Sequence, residues 1–512
     1  MRYCFHFDPS HCRNWIRLLI ERLAEDGQGE FFSSQAEAVP HPPHIEKLLN
    51  SETGRLFAGK SHLASPMDAA LLAQMAPLAK ADQDYDLVID LVGDGSAPNG
   101  KASVTLLFNG FASERALITS IMQSGIPQIA LRDQDGQIVA TAEPSPELAK
   151  GVSGAMEQTY ARVITLLLAW SRNPARWVAP LRGQKAEWKS AGQVAGQAAK
   201  ERIKSALKQI YYRLFLPSHW RIGWRWVADG ADGEGGDVWS TRSLAGLSWQ
   251  VLADHDNHFY ADPVPWHKDG VHYLFFEDFD PRSQKGILSV LTLDEKGPTG
   301  PARPCLEEPF HLSYPFLIEH EGEVYMVPET SAKRSVTFYK AENFPFGWKP
   351  YKTILTDIDA ADVTITRHQG RWWLFCVTRD GGGGYSDCLS IFYADDLFGP
   401  WHAHGQNPVL IDKATARPAG NFVHMDGRLC RPVQDCSLSY GCQLQLVEVT
   451  HLSPEHYEQK TLAILAPNER WPGRKLHTLN RAGWLEVIDG AILRPRLAFF
   501  KKLADRIFRP AA

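Results

Sequence analysis

Five stretches in the second half of the chain carry a polar or aromatic residue at or next to their start and run, through a charged residue and a glycine, into an aromatic and apolar segment. They are ADPVPWHKDGVHYLFF (261–276), YPFLIEHEGEVYMVPE (314–329), ADVTITRHQGRWWLFC (361–376), RPAGNFVHMDGRLCRP (417–432) and HTLNRAGWLEVID (477–489). The residues at their heads are Asp262, Tyr314, Asp362, Arg417 and, in the least regular unit, His477. Carboxylates accept hydrogen bonds from hydroxyls, aromatic rings stack on pyranose faces, and a guanidinium grips a phosphate with two prongs. Brought to one place, these residues describe a sugar or sugar-phosphate site. The other reading is that the charges pair with one another and close that place structurally, because buried charges cost desolvation energy unless they are paired or used.

The elements that must position them follow from the spacing. The turn glycines Gly270, Gly322, Gly370, Gly427 and Gly483 recur about every 48–57 residues, the period of a four-stranded propeller blade. Five copies predict an all-β five-bladed β-propeller over 220–490, with the segment Trp224 to Trp249 supplying the missing outer strands of the last blade. The first strand of each blade lines the central channel, so the heads of the units converge there although they are far apart in sequence. Tyr260, Trp266 and Tyr273 read first as blade packing.

Residues 1–180 read differently, as strands alternating with helices. Tyr3 to Phe7, Asp86 to Val92, Ser103 to Phe108 and Pro127 to Leu131 are apolar strand patterns; the spacing predicts helices near Trp15 to Leu23, over Ser113 to Ser124 and over Val152 to Trp170. This alternation predicts an α/β, Rossmann-like domain with an open, mostly parallel sheet. Ligands sit beyond the carboxyl ends of such strands, which makes Asp90, Asp94 and Asn109 the candidate contacts. Gly93-Asp94-Gly95 lacks the spacing of a dinucleotide loop and reads as a turn.

Between the halves, 181–219 reads as a basic helical linker. Ile203, Leu207, Ile210 and Leu214 form one stripe, with Lys200, Arg202, Lys204, Lys208 and Arg213 largely off it. Such a helix either docks on a neighbouring domain or meets an anionic membrane surface. Residues 491–512 repeat the pattern, from Arg494 through Lys501 and Arg506 to Arg509, and read as a basic amphipathic tail.

With 54 Lys+Arg against 59 Asp+Glu, 44% hydrophobic and 22% charged residues, the 512-residue chain has an ordinary globular composition with a net charge of −5. No basic bias supports nucleic-acid binding. The eight cysteines contain no CxxC pair, so neither a zinc ribbon nor a disulfide framework is indicated, and packing explains the six-residue spacing of Cys430, Cys436 and Cys442 better than a metal does. His41 and His44 flank a Pro pair and read as a rigid loop; no metal site is expected. The N-terminus lacks a secretory pattern and the longest apolar run, Val163 to Trp170, is too short to span a bilayer, so the expectation is a cytoplasmic protein, peripheral at the inner face of a membrane if the basic segments bind lipid. Gly381 to Gly384 reads as a solvated loop or a flap over the site.

The first, third and fourth units resemble those of the five-bladed propeller glycosidases of the arabinanase and xylosidase type, whose first blade opens on an Asp-Pro pair like Asp262-Pro263. The resemblance implies Asp262 as catalytic base and Asp362 as the carboxylate that tunes and orients. It also implies a general-acid glutamate at the head of the fourth unit, where this chain has Arg417-Pro418-Ala419-Gly420. Arginine stays protonated and cannot donate; Glu329 and Asp435, deeper in their blades, replace that acid only in a remodelled funnel. The strings LSYPFLIEHEGEVYMVPETS (312–331), IDAADVTI (358–365), GRWWLF (370–375), YADDLFGPW (393–401), ARPAGN (416–421) and RPVQDCSLSYG (431–441) resemble the propeller module at the N-terminus of glucosamine inositolphosphorylceramide transferases. In the plant enzymes that module accompanies a separate glycosyltransferase domain. The first half resembles, more loosely, the N-terminal fold of formyltransferases, without the Asn and His-x-Ser-Leu-Leu-Pro segment that would hold a formyl donor.

The expectation is therefore a carbohydrate-active enzyme of glycoconjugate or glycolipid assembly: a glycosyltransferase with a nucleotide sugar as donor substrate and a sugar or glycolipid as partner. The Rossmann-like half would hold the donor, and the propeller would hold the acceptor or share the donor phosphate through Arg417. The alternatives are a glycoside hydrolase with a displaced acid and a non-catalytic glycan-binding scaffold. No bound cofactor is certain.

Overall fold

The computed structural model describes residues 1–25, 29–57, 60, 62–79, 83–174, 178–183, 187–227, 236–254, 258–379, 382–468, 471 and 473–496. They divide into two compact units, one of Met1–Ser205 with Asp380–Gly384 and Leu410–Asp412, the other of Ala206–Arg379, Tyr385–Val409 and Lys413–Ala512.

The first unit is built on one sheet. Its elements are β1 (Arg2–Phe7), α1 (Asn14–Glu25), β2 (Glu30–Gln35), α2 (Pro43–Phe57), α3 (Ala69–Met75), β3 (Tyr85–Asp90), β4 (Gly100–Phe108), β5 (Phe111–Ala112), α4 (Glu114–Ser124), β6 (Ile129–Asp133), β7 (Ile138–Ala142) and α5 (Gly151–Arg172). The strand order is β2-β1-β3-β4-β6-β7, with β5 paired to β4. The expected parallel pairing holds from β2 to β4, whereas β6 runs antiparallel to β4 and β7 antiparallel to β6. β7 is antiparallel to β6 because the two are a hairpin closed by the short turn at Gly136, which needs no crossover helix. α5 is buried along nearly its whole length, in keeping with the apolar run that the sequence shows there.

α6 (Ala191–Leu214) continues into β8 (Phe215–Trp226). Among its described residues the second unit then contains five sheets, hence five blades. Blade one holds β9 (Phe259–Lys268), β10 (Val271–Asp280), β11 (Lys285–Asp294) and β12 (Gly297–Pro298), with Arg303–Leu306 beside β11. Blade two is β13 (Ser313–His320), β14 (Glu323–Glu329), β15 (Ser335–Asn343) and β16 (Phe346–Thr356). Blade three contains β17 (Ala360–His368), β18 (Arg371–Thr378) and β19 (Cys388–Ala394), with His402–Ala403 and Leu410–Ile411 on its outer side. Blade four is β20 (Val423–Met425), β21 (Arg428–Asp435), β22 (Gln443–Leu452) and β23 (Tyr457–Leu465). Blade five combines β24 (Leu476–Ala482) and β25 (Leu485–Pro495) with β8 and the strand Gln250–Val251 from the start of the unit.

Strands from both ends of the propeller sequence thus share one sheet, and β8 begins at Phe215, earlier than the composition suggested. Gaps between blades are filled by apolar residues of both neighbours; Tyr314, Phe316, Val327 and Phe338 of blade two, for instance, pack on Val363, Ile365 and Leu374 of blade three. Tyr260 is buried against Phe276, as blade packing requires. β25 also runs into the segment read as a tail: Arg494 is buried and bonded to Asp254 at 2.8 Å, so it is a structural ion pair and no part of a solvated basic face. The rest of that tail, 497–512, lies outside the described residues.

Of the loop after Asp380, the carbonyls of Gly382 and Gly384 accept hydrogen bonds from the buried Arg162 guanidinium at 3.3 and 2.7 Å, which anchors them instead of leaving them solvated; Asp380 and Gly381 lie outside the described residues. All eight cysteines are free thiols.

The joint in blade five rests on a glycine floor. The wholly buried Trp471 lies on Gly223 of β8 and Gly490 of β25, where any Cβ would overlap its indole. Gly490→Ala is therefore expected to lower unfolding stability by about 2 kcal/mol or more, the cost of overpacking a tight site, read as a lower urea midpoint with an earlier Trp fluorescence change. An unchanged midpoint would show that the floor does not hold the ring shut.

Candidate functional site

The same irregularity recurs in the first strand of four blades. Pairing jumps between Ala261 and Val264, Ser313 and Phe316, Ala361 and Thr364, and Leu476 and Leu479, each time leaving one extra residue on the inner strand. These are β-bulges, which bend a strand and re-aim a side chain. The bulged residues Asp262, Tyr314 and Asp362 take the left-handed conformation, with φ of 51°, 46° and 53°. Non-glycine residues avoid this region, and tyrosine has no local side-chain bond to compensate. In blade four the inner strand is broken instead: Pro418 bridges to Val433 and regular pairing resumes only at Val423.

The bulges bring Asp262, Tyr314, Asp362 and His477 together with Arg417, and all five are buried. Asp262 accepts from Thr478 Oγ1 at 3.0 Å and from the Tyr314 backbone N–H at 3.2 Å, with His477 Nε2 at 3.4 Å. Asp362 Oδ2 accepts from Arg417 Nε at 2.5 Å and Gln434 Nε2 at 3.0 Å. The guanidinium also lies 4.8 Å from the centre of the Tyr440 ring. Tyr314 reaches Thr364 Oγ1 at 2.8 Å, and His477 stacks on Trp220 at 3.8 Å.

Glu329, at the inner end of β14, accepts from Ser331 Oγ at 3.0 Å and feels the charges of Asp362, Arg417 and Asp262. Asp435 is drawn elsewhere: it anchors a turn, accepting from the Ser437 N–H at 2.9 Å and from the amides of Gln443 and Gln445 at 2.8 and 2.9 Å.

Three polar members of this cluster were not apparent from the unit heads. Glu277 pairs with Ala261 as Glu329 pairs with Ser313, so the two glutamates hold equivalent places in blades one and two. Each stands fifteen residues after its unit head, a spacing visible in the sequence once both hairpins are aligned. Asp489 is wholly buried and accepts from the backbone N–H groups of Asp262 (3.0 Å), His477 (3.2 Å) and Thr478 (2.8 Å). His477 Nδ1 lies 2.6 Å from it but out of line for a hydrogen bond. Gln434 has no counterpart in the other repeats to betray it.

Five acids in one buried place cannot all ionise. Burial, then the charge of Asp362, pushes Glu329 up to about 8, against a partial offset from Arg417. Burial and the neighbouring carboxylates Asp262 and Glu329 raise Glu277 well above the usual range. Burial also raises Asp262, to about 6, with His477 opposing it and Asp362 and Asp489 adding to it. Burial alone would lower His477, yet Asp489 and Asp262 raise it. Near neutral pH, Glu277 and Glu329 are therefore protonated donors beside the acceptors Asp262 and Asp362, the split that acid–base chemistry and polyol recognition both use. The ligand atoms of Asp262, His477 and Asp489 lie within 4.8 Å of one another, so they are a set able to approach a cation; the three backbone N–H bonds already held by Asp489 compete with that role.

In the first unit, Asp90, Asp94 and Asn109 do stand at or just past the carboxyl ends of β3 and β4, but each side chain accepts a backbone hydrogen bond that holds a connection. Asp90 accepts from the N–H groups of Val92 and Gly93 at 3.0 and 2.9 Å, Asp94 from Ser96 N–H at 2.8 Å, and Asn109 from Gln128 N–H at 2.9 Å.

Residues 247–491 match the family model described as glucosamine inositolphosphorylceramide transferase 1, N-terminal. Among curated proteins, the chain is 32% identical over 251 residues to glucosamine inositolphosphorylceramide transferase 1 of Oryza sativa subsp. japonica, covering 46% of this chain and 34% of that one. It is 32% identical over 248 residues to the Arabidopsis thaliana protein of the same name, covering 46% and 32%. The chain thus spans about a third of the length of these relatives. Among solved structures, similar ones include the catalytic domain of an α-L-arabinofuranosidase from Coprinopsis cinerea (13% identity, TM-score 0.34, 44% of this chain and 78% of that one). Another is a β-xylosidase/α-arabinofuranosidase from a compost metagenome (11%, 0.34, 46% and 91%).

The raised carboxyls make stability depend on pH. A carboxyl with an ordinary value near 4.5 when unfolded and about 8 when folded supports the fold fully below the lower value and loses that support as pH rises through the upper one. Unfolding midpoints are expected to fall between pH 5 and pH 8, and Glu277→Gln, which keeps a donor but cannot ionise, should flatten that fall. The variant should gain stability over wild type at pH 8 and almost nothing at pH 5, because burial and the neighbouring carboxylates raise Glu277. Parallel pH profiles would show that Glu277 is not held protonated.

Proposed function

We propose that this chain serves glycolipid assembly as a glycosyltransferase, with the propeller binding a sugar-bearing headgroup. The single observation that carries this reading is the crowded axis, where Glu277 and Glu329, both raised by burial and neighbouring carboxylates, stand beside Asp262 and Asp362. A polyol offers both hydroxyl donors and acceptors, and a site holding both kinds of partner matches it without importing net charge. The match to the N-terminal module of transferases named for an inositolphosphorylceramide acceptor supports a role in glycolipid transfer. The donor in this reading is a nucleotide sugar. Arg417 reaches its phosphate only by giving up or sharing the bond to Asp362, so it acts as a gate on anionic ligands and not as a standing grip.

A lipid acceptor must be met at a membrane, and α6 is the element suited to it. Ile203, Leu207, Ile210 and Leu214 are 61%, 60%, 53% and 47% exposed. At 100° per residue, Lys200, Lys204 and Lys208 flank one side of this stripe and Arg213 the other. That is an interfacial helix, its cationic flanks complementary to anionic headgroups. No helix among the described residues is long and apolar enough to cross a membrane.

One observation favours hydrolysis as a second reading: Glu329 protonated near Asp262 and Asp362 is an acid–base set. Glu329→Gln separates the two. A binding and transfer site should keep its affinity for inositol-phosphate glycolipids and nucleotide sugars within about threefold in calorimetry, because glutamine still donates. A hydrolase should lose about 10²–10⁴-fold in rate on aryl glycosides, because glutamine cannot transfer a proton.

For the membrane, the full chain is expected to float with phosphatidylserine-containing vesicles at low salt and to release as salt rises. Ile203→Asp with Leu207→Asp should abolish flotation; flotation unchanged by both substitutions would remove α6 from the reading.

A further inference from the structure

The α/β unit contains a cavity of about 140 Å³ at the carboxyl ends of β1, β3 and β4. Its floor is apolar and buried: Phe7, Trp15, Ile16, Leu106 and Phe108 are each no more than 3% exposed. An apolar cavity of about this volume stays dry and takes a body the size of one benzene ring. The rim is of another kind. Val39 is 60% exposed there, Arg115 is exposed and Ser113 is half-buried, so the cavity meets solvent beside a cation and a hydroxyl.

The charges around the cavity decide what can enter it. Glu114 is neutralised within the unit: it takes two bonds from Arg13, one from the Tyr160 hydroxyl at 2.7 Å and a contact from His41 Nε2 at 2.8 Å. Asp8 accepts from the Ser10 and Val39 N–H groups at 2.8 and 3.1 Å and from the Ser10 hydroxyl. Both acids are thus supplied with donors already. Arg115 stands differently, because among the described residues no carboxylate pairs with it. Its guanidinium lies over the Trp188 ring at 5.5 Å, and Trp188 meets His41 edge-on at 5.3 Å. A guanidinium stacked on a ring is held in place with its N–H edge still turned to another acceptor. Ser113 is a second donor at the rim: it precedes α4, yet its hydroxyl makes no capping bond.

We infer that the α/β unit binds a small monocarboxylic acid, whose apolar body, one ring or a branched chain of similar size, fills this cavity while its carboxylate meets Arg115 and Ser113 at the rim. Burial of the body supplies affinity, and the guanidinium selects an anion through charge-assisted bonds about twice as strong as neutral ones. One cation with the carboxylate of Asp8 nearby suits a single negative charge better than the double charge of a phosphate monoester. The site belongs to the α/β unit and does not depend on the glycolipid reading of the propeller.

Benzoate, benzamide and acetate titrated into the full chain test this, read by calorimetry and by the ¹³C-methyl resonances of Ile16 and Leu106. Benzoate should move both methyl signals and bind about tenfold more tightly than benzamide, which has the same shape without the charge; the factor is the advantage of a charge-assisted over a neutral hydrogen bond. Acetate, which lacks the body, should not bind. Arg115 is exposed, so Arg115→Gln should fold as wild type does. It should bring benzoate down to the affinity of benzamide and leave benzamide unchanged. No binding of benzoate, equal affinities for benzoate and benzamide in wild type, or methyl signals that stay in place at saturating benzoate would overturn the proposal. So would Arg115→Gln binding benzoate as wild type does, or acetate binding as tightly as benzoate, because the rim would then be a plain anion patch and the cavity unused.

Discussion

The propeller depends on one buried carboxylate. Asp489 lies in β25 beside β8, and its oxygens accept backbone N–H groups from Asp262 of blade one and from His477 and Thr478 of blade five. A ring of blades is only as closed as its joints, and here one joint is made by hydrogen bonds to a fully buried carboxyl group, where such bonds are strong and their loss costly. The same bonds hold the peptide of Asp262 in its left-handed conformation. Ring closure and the aim of the first axial side chain are therefore one interaction.

That coupling explains why strain gathers at the axis. Three bulged residues with positive φ are tolerated because the flanking strands, paired on both sides of each bulge, leave the backbone no cheaper path. What the strain provides is convergence: Asp262, Tyr314 and Asp362 are turned out of the pleat toward a common point, where crowding of acids decides their protonation. Arg417 and His477 are the two cations that keep the set from being wholly repulsive. Each is also pinned by a ring, Tyr440 for the guanidinium and Trp220 for the imidazole.

The two buried acid clusters follow opposite electrostatic rules. At the propeller axis, excess acid raises carboxyl pKa values and supplies donors by protonation. In the α/β unit, burial would raise the Glu114 carboxyl, yet Arg13, with bonds from His41, overrides it and holds the group well below the usual range. One cluster is poised to exchange protons and polar partners; the other has settled its charge by pairing Glu114 with Arg13.

Much of this was legible in the sequence. Blade number and period followed from glycines that tight hairpins demand, because positive φ at a turn is a local requirement that a sequence must write down. The unit heads Asp262, Tyr314, Asp362, Arg417 and His477 were legible for the same reason, as repeat positions. The exposed stripe of α6 was legible as helical periodicity. Tertiary structure alone decided the rest. Whether Arg417 faces a ligand or Asp362 depends on two blades meeting, and no local pattern encodes a distance between blades. Asp435 shares the chemistry of the other acids, yet its neighbours Gln443 and Gln445 turn it into a loop anchor. Arg494 reads as one more basic residue until β25 carries it to Asp254. The sheet of the α/β unit turned antiparallel at β6 because direction is set by the connection and not by strand composition. Charge type is a property of the residue, but partner, protonation and aim are properties of the place it is carried to.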